Sequence, residues 1–307
     1  DDGPSISANN VTEPVLTVDE TVLGTDASQS FAANFTSAYG ADGAGSVAYA
    51  VSAVNGTDSG LQTTSGDAIA LYNEGGEVVG RSGGAAGPIA FKVSVDANGV
   101  VTLDQQASLK HPTGGASHDE PVTLGDNLIK LTGTITDGDS DTASADIDLG
   151  GNLTFKDDGP SISANNVTEP VLTVDETVLG TDASQSFAAN FTSAYGADGA
   201  GSVAYAVSAV NGTDSGLQTT SGDAIALYNE GGEVVGRSGG AAGPIAFKVS
   251  VDANGVVTLD QQASLKHPTG GASHDEPVTL GDNLIKLTGT ITDGDSDTAS
   301  ADIDLGG

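Results

Sequence analysis

Three aspartates stand at alternate positions in "DGDSD", Asp137, Asp139 and Asp141, and the same five residues return with Asp293, Asp295 and Asp297. Carboxylates at i, i+2 and i+4 of a tight loop converge on one point, and Ca²⁺ takes roughly six to eight hard oxygen ligands of this type. The stretch is not an EF-hand. Thr142 occupies the sixth position, where Gly belongs, Asp148 replaces the twelfth-position Glu, and no helical pattern flanks it. A solvated turn explains the same residues, because Asp, Gly and Ser favour turns for backbone reasons alone.

Other carboxylates come in adjacent pairs. "TFKDDGPSIS" places Asp157 and Asp158 ahead of a Gly-Pro turn, and the same words open the chain with Asp1 and Asp2. "TVDET" places Asp19 and Glu20 at the end of an early strand, with Asp175 and Glu176 as its second occurrence. The second of these pairs either completes the aspartate loop's site or faces water. "KHPTGGASHDEP" carries His111 and His118, but no third strong ligand is dictated for zinc, and the segment reads as a long surface loop. No nucleophile elbow or other catalytic motif occurs, so catalytic residues are assigned nowhere and the chain is read as a non-enzyme.

The elements that must hold these residues are repeated. Asp1 to Gly151 reappears residue for residue as Asp157 to Gly307, a period of 156. Each copy is long enough to own a core, so the expected organisation is two tandem domains, 1–156 and 157–307. The pair reads as a piece of a longer array. Within a copy the apolar period is two. "LIKLTGTIT" sets Ile129, Leu131 and Ile135 against Lys130, Thr132, Thr134 and Thr136, and "PIAFKVSVD" and "ASADIDL" alternate alike. Such alternation marks half-buried antiparallel strands. Turn chemistry punctuates them at "NEGG", "DANG", "PTGGAS" and "TDGDSD". "ASQSFAANFTSAYG" (27–40), with Phe31 and Phe35 four apart, is the one candidate for a turn or two of helix. Seven to ten strands per copy in a β-sandwich is the expected fold.

Topology then gathers the carboxylates. The strand before the aspartate loop and the strand after it place that loop at the pole where the chain enters its domain. Asp293, Asp295 and Asp297 are therefore expected beside Asp157 and Asp158, and Asp137, Asp139 and Asp141 beside Asp1 and Asp2. Like charges so close repel unless a cation lies among them.

Composition sets outer bounds. The 307 residues carry 42 acidic and 9 basic side chains, a net charge of −33. That field repels nucleic acid and anionic lipid, so neither is expected as a partner. The absence of cysteine excludes disulfides and thiolate metal sites. No apolar run approaches the roughly 18 residues of a membrane span.

The order "LTVDET … GLQTTSGDAIALYN … AFKVSVDANGVVTL … DEPVTL … LTGTITDGDSDTASADIDLGGNLTFKDDGPSI" resembles the tandem extender repeats of giant bacterial adhesins of the repeat-in-toxin group, exported by type I secretion. The resemblance covers essentially each whole copy, and "DGDSDTAS" followed by "FKDDGPSI" is its most specific part. It implies two identical immunoglobulin-like β-sandwich domains in an extended arrangement, with calcium in the linkers and neighbouring repeats of the same chain as partners. It further implies an extracellular, bacterial cell-surface location and a spacer role, projecting a ligand-binding region for adhesion and biofilm formation. The family's acidic linker residues carry over to Asp157 and Asp158, and its DGD-type loop to Asp293, Asp295 and Asp297. A second reading is a carbohydrate- or protein-binding adhesion domain, with its ligand held on loops such as 82–88 or 112–118.

Overall fold

A computed structural model describes residues 3–112, 118–268 and 276–306. Asp1 and Asp2, two of the expected ligands, lie outside the described residues. The chain forms two compact units. The first runs to Gly159 and also takes in Tyr195–Ala200 and Asp293–Asp297, and the second holds Pro160–Ala194, Gly201–Thr292 and the residues from Thr298 on.

Both units are all-β. In the first, a six-stranded antiparallel sheet has the order Ala27–Ser30, Val100–Gln105, Ile89–Val95, Glu77–Ser82, Ala68–Glu74, Thr57–Gln62. A three-stranded sheet of Thr142–Asp148, Lys130–Thr136 and Ser46–Ser52 shares its core. Alternation drives this packing. Leu131 and Ile135 are fully buried on one face of their strand, while Lys130 is exposed on the other. Phe91, Val93 and Leu103 of the large sheet pack in one cluster with Val51, Leu131 and Ile147 of the small one. Each such buried side chain contributes about 1.5–3 kcal/mol.

A third sheet closes one end. Leu153–Lys156 lies between Pro121–Thr123, its antiparallel neighbour, and Leu16–Asp19, its parallel one. Ser5–Ala8 pairs with Phe35–Ala38 in a fourth, two-stranded sheet. With these short elements the first copy holds fourteen strands among the described residues, more than periodicity suggested. Strands as polar as Ala27–Ser30 carry no apolar alternation to betray them. The helix candidate at 27–40 is instead a strand, the 3₁₀ turn Ala32–Asn34 and another strand, with Phe31 and Phe35 both turned into the core.

The second unit repeats the six-stranded sheet from Ala183–Ser186 to Thr213–Gln218, the sheet of Ser202–Ala209, Ile285–Thr292 and Thr298–Asp304, and the pair Ser161–Ala164 with Phe191–Ala194. It has no counterpart of the third sheet among the described residues. Leu172–Asp175, identical in sequence to Leu16–Asp19, forms no strand. No described helix is long and apolar enough to cross a membrane.

Candidate metal centre

The site lies wholly within the first compact unit, and six parts of the chain build it. Glu20 opens the 3₁₀ turn Glu20–Val22 that follows Leu16–Asp19. Asp19 caps that turn, accepting the Thr21 N–H at 3.0 Å, and this hydrogen bond holds its carboxyl below the usual range. Asp19 is thus exposed and spent on the backbone, while Glu20, one residue on, is 1% exposed. Glu20 Oε1 accepts from Gln105 Nε2 at 2.7 Å and the Leu109 N–H at 2.8 Å, with His111 Nε2 at 3.3 Å. Its other oxygen has no hydrogen-bond partner.

Asp157 follows directly on the closing strand Leu153–Lys156, so that strand's pairing delivers it to Glu20 and His111. Its Oδ1 lies 3.9 Å from His111 Nε2 and accepts the Asp158 N–H at 2.9 Å. The Asp293–Asp297 loop is closed by two bonds, Asp297 N–H to Asp293 Oδ1 at 2.8 Å and Asp293 N–H to Asp297 O at 3.1 Å. Ser296 takes φ 89°, the left-handed region, which bends the loop so that alternate carboxylates share one side. Gly294 fits because a Cβ there would strike the Asp198 carbonyl oxygen. The same close packing applies at Gly159, where a Cβ would strike the His118 ring.

Four triads result, each with ligand atoms within 4.8 Å of one another: Glu20, His111 and Asp157; Asp157, Asp198 and Asp295; Glu120, Asp157 and Asp297; and Asp293, Asp295 and Asp297. Asp157 belongs to three of them. His118 Nδ1 also lies 3.7 Å from Asp297 Oδ2. A fifth triad, Asp42, Asp137 and Asp139, is the first copy's equivalent of Asp198, Asp293 and Asp295.

The electrostatics are those of a charge cluster without a counter-ion. Asp157 Oδ2, Asp293 Oδ2, Asp295 Oδ1 and both oxygens of Asp198 and of Asp297 are buried and accept no hydrogen bond from an N–H or hydroxyl. No lysine or arginine ion-pairs with these aspartates among the described residues. Burial, then the charges of Glu20, Asp295, Asp157 and Asp293, push Asp198 up to about 8. Burial first, and next the charge of Asp295 against the opposing pull of His111, brings Asp157 to about 7. Asp293 rises to about 6 through burial and the adjoining Asp295 carboxyl, and burial also raises Asp297. Burial works against a charged His111, but the Glu20 hydrogen bond and the charges of Asp157 and Glu20 outweigh it and push the imidazole up.

A buried carboxylate without a partner costs several kcal/mol, roughly, unless it is neutralised or coordinated. The orphaned oxygens are hard donors on side chains that converge, the donor set that suits Ca²⁺. Asp157, Asp198, Asp293, Asp295 and Asp297, with Glu20 and Glu120, are the residues that would hold such an ion.

Of the carboxylates singled out from sequence, the structure brings together Asp157, Asp293, Asp295, Asp297 and Glu20. Asp158 turns away and accepts the Ala197 N–H at 2.9 Å. Asp137 and Asp139 meet with Asp42, whereas Asp141 lies outside that triad, exposed. Asp175 caps Thr177 at 2.7 Å, as Asp19 caps Thr21. Glu176 meets His267 at 3.3 Å, with no third ligand among the described residues. Sequence reasoning missed Asp198, Glu120 and His111. Asp198 sits in "ADG", a turn signature, and the histidine segment reads as surface, yet His111 is 2% exposed. The pairing of Glu120 with Asp119 after a histidine was the one available signal.

Residues 15–150 and 171–306 match the profile of the family described as "Domain of unknown function (DUF5801)", and the chain belongs to that family as two tandem repeats. No curated protein matches. Among solved structures, the chain is similar to protocadherin gamma B2 extracellular cadherin domains 3–6, at 13% identity and a TM-score of 0.27 over 99% of this chain and 49% of that one. It is also similar to the tetra-tandem repeat in the extending region of a large adhesion protein, at 12% identity and a TM-score of 0.23 over 100% and 49%. The chain spans about half the length of both.

Proposed function

We propose that this chain is a calcium-stiffened spacer, two extender repeats of a large bacterial surface adhesin that hold a ligand-binding region away from the cell. The observation that carries the reading is the buried set of orphaned carboxylate oxygens around Asp157, drawn from five separate segments. A divalent ion there neutralises charges that otherwise repel, and ties Glu20 and Glu120 of one repeat to the entry segment and aspartate loop of the next. Calcium supplies charge compensation and multidentate oxygen coordination, and the protein contributes the converging side chains. The tandem copies support the same role, since a spacer needs length and stiffness rather than a distinct site in each unit.

Small-angle scattering in calcium and then in chelator tests it. The expected result is an elongated, narrow distribution in calcium that becomes broader and more compact on chelation. Indistinguishable profiles would reject the spacer reading. Isothermal titration showing no calcium binding would reject the metal.

A further inference from the structure

The histidine segment dictates no third metal ligand of its own, yet the fold brings two carboxylates to it. His111 stands two residues beyond Leu109, which bridges to Thr63. Its Nε2 lies 3.3 Å from Glu20 Oε1 and 3.9 Å from Asp157 Oδ1. All three residues are buried, Glu20 at 1% and His111 and Asp157 at 2% exposure. Glu20 Oε2 and Asp157 Oδ2 have no hydrogen-bond partner. The groups behind these donors are fixed as well. Gln105 Nε2 and the Leu109 N–H both bond Glu20 Oε1, at 2.7 and 2.8 Å, and Gln105 is itself buried. The Asp158 N–H bonds Asp157 Oδ1 at 2.9 Å, and the Lys110 N–H bonds the Gln62 carbonyl at 2.8 Å just before the histidine. Outer bonds of this kind orient metal ligands and set affinity.

We propose that Glu20, His111 and Asp157 form a second, chemically distinct metal site, one that takes Zn²⁺ beside the calcium set. Donor chemistry separates this corner from the rest of the cluster. Asp198, Asp293, Asp295 and Asp297 offer oxygen alone, which suits calcium, whereas an imidazole nitrogen with two carboxylates suits zinc. Tetrahedral zinc, with bonds of about 2.0–2.2 Å, places its ligand atoms roughly 3.4 Å apart. The spacings of 3.3 and 3.9 Å around His111 Nε2 come close to that without rearrangement of the fold. Glu20 Oε2 and Asp157 Oδ2 are the donors left to complete the coordination. A bound ion takes the place of the proton on Nε2. The site shares Asp157 with the calcium set but does not rest on the spacer reading, because a nitrogen donor marks it rather than acidity.

The test uses the whole chain without a histidine tag, saturated with calcium and titrated with Co²⁺ as a visible probe. One Co²⁺ per chain is expected, with the strong visible absorption of a four- or five-coordinate ion, bleached by stoichiometric Zn²⁺. In zinc, ¹⁵N NMR of the imidazoles should move the His111 Nε2 alone to a metal-bound shift. His111→Gln should weaken cobalt binding by more than about a hundredfold, beyond the loss of an outer-shell partner. His267→Gln should leave it within about twofold. The wild-type NMR reads the same ligand should the buried substitution prevent folding. No cobalt binding up to millimolar metal would overturn the proposal, as would binding retained in folded His111→Gln or a zinc shift at another histidine. Cobalt bound only when calcium is withheld would reveal one site open to either ion, and would overturn it too. Calcium binding without cobalt binding would end this proposal and leave the spacer reading to its own scattering test.

Discussion

The loops Asp137–Asp141 and Asp293–Asp297 have the same five residues and close in the same way. In each, the last Asp donates its N–H to the first carboxylate, at 2.9 and 2.8 Å, and the serine adopts positive φ, 82° and 89°. Their surroundings differ. Asp139 and Asp141 are exposed, whereas Asp295 and Asp297 are 7% and 0% exposed, covered by the segments that bring Asp157, Glu120 and His111. Local sequence shapes the loop, and what packs over it decides whether its charges can be left to water. In the first loop Asp139 and Asp141 face water and Asp137 is buried, whereas the second loop buries all three carboxylates, which need protons or a cation.

The largest effect should come from calcium itself. An ion bound at a thousandfold excess over its Kd stabilises by about 4 kcal/mol. For a unit of this size that raises Tm by roughly 8–16 °C. Calorimetry in calcium and in chelator should show most of this gain in the first unit, which holds the covered loop. Equal gains in both units would erase the contrast between the loops.

Asp198 and Asp42 are equivalent positions, so Asp198→Asn and Asp42→Asn compare covered with exposed directly. Asp198→Asn should weaken calcium binding about tenfold or more, roughly 1.4 kcal/mol, and Asp42→Asn should change the tighter site by less than about twofold. In chelator the sign reverses at the covered position. Removing a buried, uncompensated charge there should stabilise the first unit by about 1–3 kcal/mol. Titration calorimetry and chelator melts read the two halves of this prediction. Loss of stability in both conditions would mean that Asp198 is structural rather than a ligand.

The same contrast shows how much of the molecule was legible in the chain. Alternation in Lys130–Thr136 and Ile89–Val95 reported all-β structure faithfully, because a half-buried strand must alternate. The convergence of Asp293, Asp295 and Asp297, and their meeting with Asp157, followed from loop spacing and the direction of two strands. Leu16–Asp19 and Leu172–Asp175 mark the limit: identical words, one a strand and one not, so no reading of local sequence could separate them. Asp198, Glu120 and His111 were hidden for a related reason. Each joins the site through contacts made far along the chain, and Asp198 sits in a Gly-Ala-Asp-Gly stretch that also makes ordinary turns.

Acidity should tune the covered site in a definite direction. Asp198, Asp157 and Asp293 stand at about 8, 7 and 6 in the fold, against roughly 3.9 for an unfolded aspartate. The folded state therefore binds more protons. In chelator, the stability these groups contribute is fully present below about pH 4 and is lost as pH rises through 6 to 8. The first unit's Tm should fall across that interval in chelator and hold level in calcium, where the carboxylates are ionised already. Calcium binding near pH 6.5 should release protons, measurable as a buffer-dependent heat. A falling Tm of equal slope in calcium would show that the ion does not engage these groups.

The smallest expected effect belongs to the residues that look like ligands and act on the backbone. Asp19 and Asp175 cap identical turns, holding the Thr21 and Thr177 N–H groups at 3.0 and 2.7 Å. Losing either cap should cost about 0.5–1 kcal/mol. The cost should be nearly the same in both units, since the bond is local and indifferent to what covers the neighbouring glutamate. Glu20 and Glu176 differ sharply in that respect, with side chains 0% and 28% exposed. Asp19→Ala and Asp175→Ala should thus lower their own unit's Tm by similar small amounts and leave calcium affinity within about twofold. If Asp19→Ala weakened calcium binding as far as Asp198→Asn does, the cap would be positioning Glu20 for the ion, and turn and site would be a single device rather than neighbours.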